Sequence, residues 1–204
     1  MKLSVIIPVF NQEKLVIRAL DALPRRDDVE VLVCDDGSTD DTLSNLLAYR
    51  YDHPDFNLKV YSNGRNRGVA FTKNKLLDEM TGEYFHIHDS DDYVDTEKYS
   101  QLIDRLDGST DVYVMNLIVN SGAVYDITEE NGHVFCAQIA RFIRSDFAAG
   151  LEFPEDIRAG DDGFYAVALA NRGPKTKYTR IPAYFYNYPR EGSLTDMRLK
   201  GILP

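Results

Sequence analysis

The stretch Gly82–Asp95, GEYFHIHDSDDYVD, places four carboxylates within seven residues: Asp89, Asp91, Asp92 and Asp95. Like charges this close raise one another's pKa values, so a fold keeps them only where water solvates them or a cation faces them. Asp95 suits the cap of a following helix. Asp89 and Asp91 stand two apart just past an apolar strand, a spacing that lets both reach one hard cation from the same side. Carboxylate oxygens suit Mg²⁺ or Mn²⁺, and an ion held by only one or two of them keeps positions open for substrate phosphates. The local chemistry therefore points to a metal–diphosphate site, against the plainer alternative of a solvated acidic loop.

A second acidic cluster, DDGSTDD, runs from Asp35 to Asp41. A turn and a helix cap account for Gly37–Asp41. They account less well for Asp35 and Asp36, two adjacent carboxylates at the end of an apolar strand, which need partners. A carboxylate there can accept from a nucleobase N–H or a ribose hydroxyl. His86 and His88 fall on one face of a strand. An H-x-H pair can ligate metal, but a metallohydrolase needs further histidines, and only His53 and His133 remain. Ser90 and Asp91 also occupy the last two places of the H-x-H-x-D-H pattern. Hydrogen-bonded strand histidines near the site are the better reading. The segment YTRIPAYFYNY, Tyr178–Tyr188, is aromatic chiefly because aromatic residues favour strands, with Tyr188 the one candidate for stacking on a sugar.

These residues need elements to hold them. Leu3–Val9 is a nearly continuous apolar run, as in a strand buried on both faces. Helical spacing follows over Leu15–Leu23, then a strand at Val29–Cys34. A helix capped by Asp40 or Asp41 carries Leu43, Leu46 and Leu47 inward. Leu58–Tyr61 is a strand and SNGRNRG a loop. Ala70–Met80 reads as a helix with Phe71, Leu77 and Met80 inward, and Glu83–His88 as a strand. Thr96–Leu106 is a helix with Tyr99, Leu102, Ile103 and Leu106 on one face. Four strand–helix alternations predict an α/β fold with a mostly parallel central sheet and helices on both faces. The second half is less regular: a strand at Asp111–Val119, a hairpin over Gly122–Val134, helices at Gln138–Arg144 and Asp162–Asn171, and a strand at Tyr178–Tyr188. Pro8–Asn11, Asp35–Asp41 and Asp89–Asp92 all follow strands, and in open α/β sheets ligands bind at the carboxyl ends of strands.

The 204 residues suit one domain, and the formal charge of −10 argues against a groove for nucleic acid, which needs clustered Lys and Arg. Cys34 and Cys136 sit in apolar runs and read as buried free thiols. No stretch reaches 18 apolar residues, so no transmembrane segment is expected, and a cytoplasmic location follows.

SVIIPVFN, VCDDGSTDDT, NRGVAFTKN, GEYFHIHDSDD and GDDGF, in this order and spacing, resemble the family-2 nucleotide-sugar glycosyltransferases of GT-A fold, across Leu3 to about Ser193. The resemblance implies a Rossmann-like three-layer sandwich forming a single domain over 1–204, with 1–110 the nucleotide-binding half and 111–204 the acceptor-binding and closing half. It implies that Pro8, Val9, Phe10 and Asn11 line the nucleotide pocket. Asp36 would meet the base, supported by Asp35, and Asn66 and Gly68 would lie against the nucleotide. Asp89-Ser90-Asp91 would be the DXD motif, with Asp89 on the ribose or the metal's water shell and Asp91 on Mn²⁺ or Mg²⁺.

GDDGF stands where the family usually has Gly-Glu-Asp-Trp. The resemblance makes Asp162 the general base beside Asp161, with Glu155-Asp156 a second acidic pair close by. Phe164 would stand in for the family's aromatic. Lys73 replaces the usual Arg before Asn74, keeping the charge and losing the bidentate fork. Lys73 and Arg190 would assist the leaving group, with Ser193 near the diphosphate. The family's late metal-binding His is absent, the last His being His133.

The implied activity is inverting transfer of a hexose or N-acetylhexosamine from a nucleotide sugar, UDP being the family's commonest nucleotide. The acceptor would be a glycan, lipid-linked sugar or other hydroxyl, in surface glycan or oligosaccharide biosynthesis. The length is short for the family, so the acceptor side would be minimal, or completed by a partner or by a second copy, as in a homodimer. Two rivals stand beside this reading. A nucleotidyltransferase would carry a Gly-rich, Arg-containing loop where this chain has PVFNQEK. A non-catalytic nucleotide-sugar-binding module would show no metal-dependent turnover.

Overall fold

The computed structural model describes residues 1–131, 138–157, 160–191, 196, 197, 200 and 201. Its first half follows the predicted alternation: β1 (Leu3–Val9), α1 (Val16–Ala22), β2 (Val29–Asp35), α2 (Thr42–Asp52), β3 (Leu58–Ser62), α3 (Val69–Glu79) and β4 (Tyr84–Ile87). Every residue of β1, β2 and β4 is buried, as continuous apolar runs require of central parallel strands. β1 lies between β2 and β4, and β2 pairs with β3, all in parallel. The three polar clusters thus emerge together at one end of the sheet.

The second half contributes β5 (Tyr93–Val94), α4 (Thr96–Asp104), β6 (Val112–Val119), β7 (Val124–Tyr125), β8 (Arg141–Arg144), α5 (Ser145–Ala148), α6 (Asp161–Asn171) and β9 (Thr176–Tyr186). The sheet runs β3-β2-β1-β4-β8-β6-β9-β5, with β7 on β6. β6 and β9 are parallel, while β8 runs antiparallel to both β4 and β6. Asp95 caps α4, accepting from the backbone N–H of Lys98 at 3.1 Å, and Tyr99, Leu102, Ile103 and Leu106 are all buried as expected.

Four sequence expectations need correction. The helix expected over Gln138–Arg144 is a single 3₁₀ turn at Gln138–Ala140 followed by β8. Phe142 faces Tyr113 across the ladder, and Ile143 faces both Phe85 and Val112. Pairing on both sides overrides a helical pattern only seven residues long. The hairpin is formed by β7 folding back on β6, Tyr125 opposite Leu117; the end of the expected Gly122–Val134 hairpin lies outside the described residues, as do Cys136 and Ser193. In α2 the inward stripe is Thr42, Leu46 and Tyr49, while Leu47 is 43% exposed, because the buried Thr42 sets the phase of the helix. In α3 Leu76 is fully buried, Leu77 and Met80 pack at the margin, and half-buried Phe71 lies under the Arg67 guanidinium, 3.7 Å from its ring centroid.

Candidate active site

A cleft of about 950 Å³ opens where β1, β2 and β4 end. Pro8, Val9, Phe10, Asn11, Asp36, Asn66, Gly68, Asp89, Ser90, Asp91 and Arg190 line it, joined by Glu155 and by the aromatic rings of Tyr186 and Tyr188. Among the described residues predicted for the nucleotide side, only Asp35 and Lys73 are not in its wall.

Local hydrogen bonding explains how this wall is held. Asn11 takes a left-handed backbone (φ 51°), which Asn tolerates, and its side-chain oxygen accepts from the Thr39 N–H at 2.8 Å. The loops after β1 and β2 are thereby tied together. Asp35 is buried beneath its own turn, accepting from the N–H groups of Gly37 and Ser38 at 3.1 and 3.2 Å. Asp36 reaches across to the loop after β3. Its Oδ1 accepts from Asn63 Nδ2 and the Arg67 N–H, and its Oδ2 from the Gly68 N–H, all within 2.9 Å. Gly37 (φ 74°) allows the close approach, since a Cβ there would stand 2.3 Å from the carbonyl carbon of Arg65.

The acidic cluster is larger than the two-residue spacing implied. Oxygens of Asp89, Asp91 and Asp92 lie within 4.8 Å of one another. Asp92, which the spacing argument passed over, is buried; its Oδ1 accepts from the Asn187 N–H at 2.7 Å. Among the described residues its Oδ2 takes no direct hydrogen bond, while the Tyr184 hydroxyl beside it favours the charged form. Burial, then the neighbouring Asp91 charge, pushes the Asp92 carboxyl up to about 7. Burial, then Asp92 and Asp91, also raises Asp89 well above the carboxylate range; Lys73 opposes this and Asp162 adds to it. Three converging carboxylates, two of them pushed up by burial and by one another's charge, are a donor set that fits a hard divalent cation. The doubled Asp91-Asp92 was the sequence signal for the third member.

Cations of the chain itself touch Asp91. Arg190 Nε contacts its Oδ2 at 2.7 Å. Arg18, on α1, donates to its backbone carbonyl at 2.7 Å and lies over the Tyr93 ring. Nothing in the sequence marked Arg18, because its partner comes 73 residues later.

Lys73 is a correction. It is buried and absent from the cleft wall, contacting Asp161 at 2.8 Å and Asp162 at 2.6 Å at the start of α6. Burial alone would lower its pKa, but the charges of Asp162, Asp161 and Asp89 outweigh that and hold it above its usual range. Asp161 is buried with it, whereas the Asp162 side chain is 35% exposed. Glu155 accepts from Asn74 Nδ2 at 3.1 Å.

His86, in β4, and His88, just past its end, are both buried and hydrogen-bonded near the site. His86 lies between the Tyr99 hydroxyl and the Ile139 carbonyl, and His88 Nδ1 contacts the Asp89 carbonyl at 2.8 Å. Burial lowers their pKa values to about 3 and about 4, so both rings are neutral at pH 7. Cys34 is buried with its thiol pushed up to about 11, chiefly by burial. Among the described residues no helix is long and apolar enough to cross a membrane.

Residues 4–166 match the family model for glycosyl transferase family 2. Over 94% of its length the chain is 28% identical to the poly(ribitol-phosphate) beta-N-acetylglucosaminyltransferase TarS of Staphylococcus aureus, of which it spans 36%. The crystal structure of S. aureus TarS 1–349 in complex with UDP-GlcNAc superposes with a TM-score of 0.83 at 25% identity, covering 95% of this chain and 60% of that one. The mannosyltransferase PcManGT of Pyrobaculum calidifontis, solved with GDP-Man and Mn²⁺, shares the fold at a TM-score of 0.75 and 22% identity over 94% of this chain and 58% of that one. With the family model matching most of its length, the chain belongs to glycosyl transferase family 2.

Proposed function

We propose that the chain carries out metal-dependent, inverting transfer of a sugar from a nucleoside-diphosphate sugar to an acceptor hydroxyl. The observation that carries this reading is the single cleft uniting the Asp36 wall with the Asp89–Asp91–Asp92 cluster. Its volume of about 950 Å³ is at the upper end for ligand pockets, ample for a nucleotide sugar. The donor is a UDP-sugar, in keeping with the UDP-GlcNAc seen in TarS, and surface glycan assembly is the matching context.

Pro8–Asn11 would hold one face of the nucleoside, and Asp36 would read an N–H of the base. Asp91, with Asp89 and Asp92, would hold Mn²⁺ or Mg²⁺. When bound, the ion neutralises charge that builds on the departing diphosphate. Arg190 would add a guanidinium on the same phosphates. Asp162 would take the proton of the acceptor hydroxyl as it attacks the anomeric carbon from the opposite face. Lys73 fixes Oδ1 of Asp162, while Oδ2 takes no hydrogen bond among the described residues. Asp162 also lies within Coulombic reach of Asp89. Lys73 would act on the leaving group only through these carboxylates, not by touching it.

Glu155 is a second reading for the base, since it lines the cleft and Asp162 does not. The two separate kinetically. Asp162→Asn is expected to lower kcat by about 10²–10⁴ with donor affinity nearly intact, and Glu155→Gln by far less. The reverse ranking would move the base to Glu155. Equal kcat in both variants and wild type would remove the carboxylate-base mechanism.

A further inference from the structure

The segment that follows β9 is bound directly to the acidic cluster. Arg190 Nε meets Asp91 Oδ2 at 2.7 Å, the Asn187 N–H donates to Asp92 Oδ1 at 2.7 Å, and Asn187 Nδ2 donates to the Asp91 carbonyl at 3.3 Å. Asn120 braces the segment from β6's end, its side-chain amide donating to Asn187 Oδ1 at 3.0 Å and to the Pro189 carbonyl at 3.1 Å. Arg190 therefore already holds an oxygen that a divalent ion in the cluster would require, and it does so inside the cleft where a diphosphate would lie. A guanidinium and a divalent cation on one carboxylate oxygen repel each other at contact distance. Phosphate oxygens, by contrast, match the guanidinium fork.

We propose that Arg190 is an internal counter-ion that competes with the metal for Asp91 and transfers to the diphosphate once metal and nucleotide are bound together. The exchange rests on the metal–diphosphate reading of the cluster. It makes metal entry and the seating of the Tyr186–Arg190 segment two sides of one equilibrium. It also gives one residue opposite effects on two affinities. Without nucleotide, Arg190 opposes the metal. With nucleotide, it strengthens the ternary complex. Affinities for metal and nucleotide are then coupled reciprocally through its position.

The test is a titration of free Mn²⁺ by electron paramagnetic resonance, with and without UDP, on wild type, Arg190→Gln and Arg190→Lys, with circular dichroism confirming the fold of each. For a partly exposed ion pair, Arg190→Gln should bind Mn²⁺ alone about two- to five-fold tighter. In the presence of UDP it should bind Mn²⁺ about ten-fold or more weaker, having lost a charge-assisted contact to phosphate. Arg190→Lys, which keeps the charge, should stay near wild type for Mn²⁺ alone. Shifts of the same sign in both conditions, or an unchanged affinity for Mn²⁺ alone, would overturn the exchange and leave the metal site standing. Wild type that binds no Mn²⁺, with or without UDP, would overturn the exchange and the metal–diphosphate reading together.

Discussion

Replacing Lys73 with Met tests the ion-pair triad that joins α3 to α6. The Lys73 side chain is 4% exposed and that of Asp161 8%, so removing the ammonium leaves a buried carboxylate with no counter-charge. Breaking a buried pair from one side costs about 3–5 kcal/mol. The arm to Asp162, whose side chain is 35% exposed, adds at most the ~1 kcal/mol of a surface pair. Lys73 also stands 4.7 Å from the Phe153 ring centroid, a contact that Met can partly restore through its sulfur. The expected loss is therefore about 3–5 kcal/mol, or roughly 6–20 °C in Tm for a chain of this size. Urea unfolding followed by circular dichroism measures it, with an unchanged slope confirming that the native state stays compact. Adding Asp161→Asn to Lys73→Met should recover at least half the loss, because no uncompensated ion then remains. A loss below about 1 kcal/mol, or a double variant no better than the single one, would refute the assignment of Lys73 as a buried counter-ion.

Two further outcomes follow from the same structure. Burial would raise the Glu30 carboxyl, but contacts from Lys59, Ser4 and Thr81 more than offset this and lower it to about 2. A depressed folded-state pKa contributes stability that is present above the ordinary carboxylate range and lost as pH falls through about 2. Unfolding free energies of wild type and Glu30→Gln should therefore differ by on the order of 2–3 kcal/mol at pH 6 and converge toward pH 2; a gap constant with pH would contradict it. Gly37→Ala forces a Cβ at positive φ to within 2.3 Å of the Arg65 backbone, so it should destabilise by at least about 2 kcal/mol and weaken UDP binding measured by calorimetry. Wild-type affinity in that variant would mean that the loop of Arg65 and Asn66 does not shape the nucleotide wall.

The sequence by itself determined β1, β2 and β4 and the clusters that follow them. Val29–Asp35 is buried throughout, and such a run admits few alternatives once strand and turn alternate. It also specified Asp89 and Asp91, two apart after β4, whereas the fold of the turn decided that buried Asp92 joins them. Only the tertiary structure decided β8, where a short segment with helical spacing became a strand because β4 and β6 offered it partners on both edges. It alone decided that Lys73 belongs to Asp161 and Asp162, 88 and 89 residues away, and that Arg190 reaches back 99 residues to Asp91. Local chemistry sets which groups need a counter-charge, whereas the identity of that counter-charge depends on which surfaces pack against one another, and hydrophobic burial between distant segments fixes that choice.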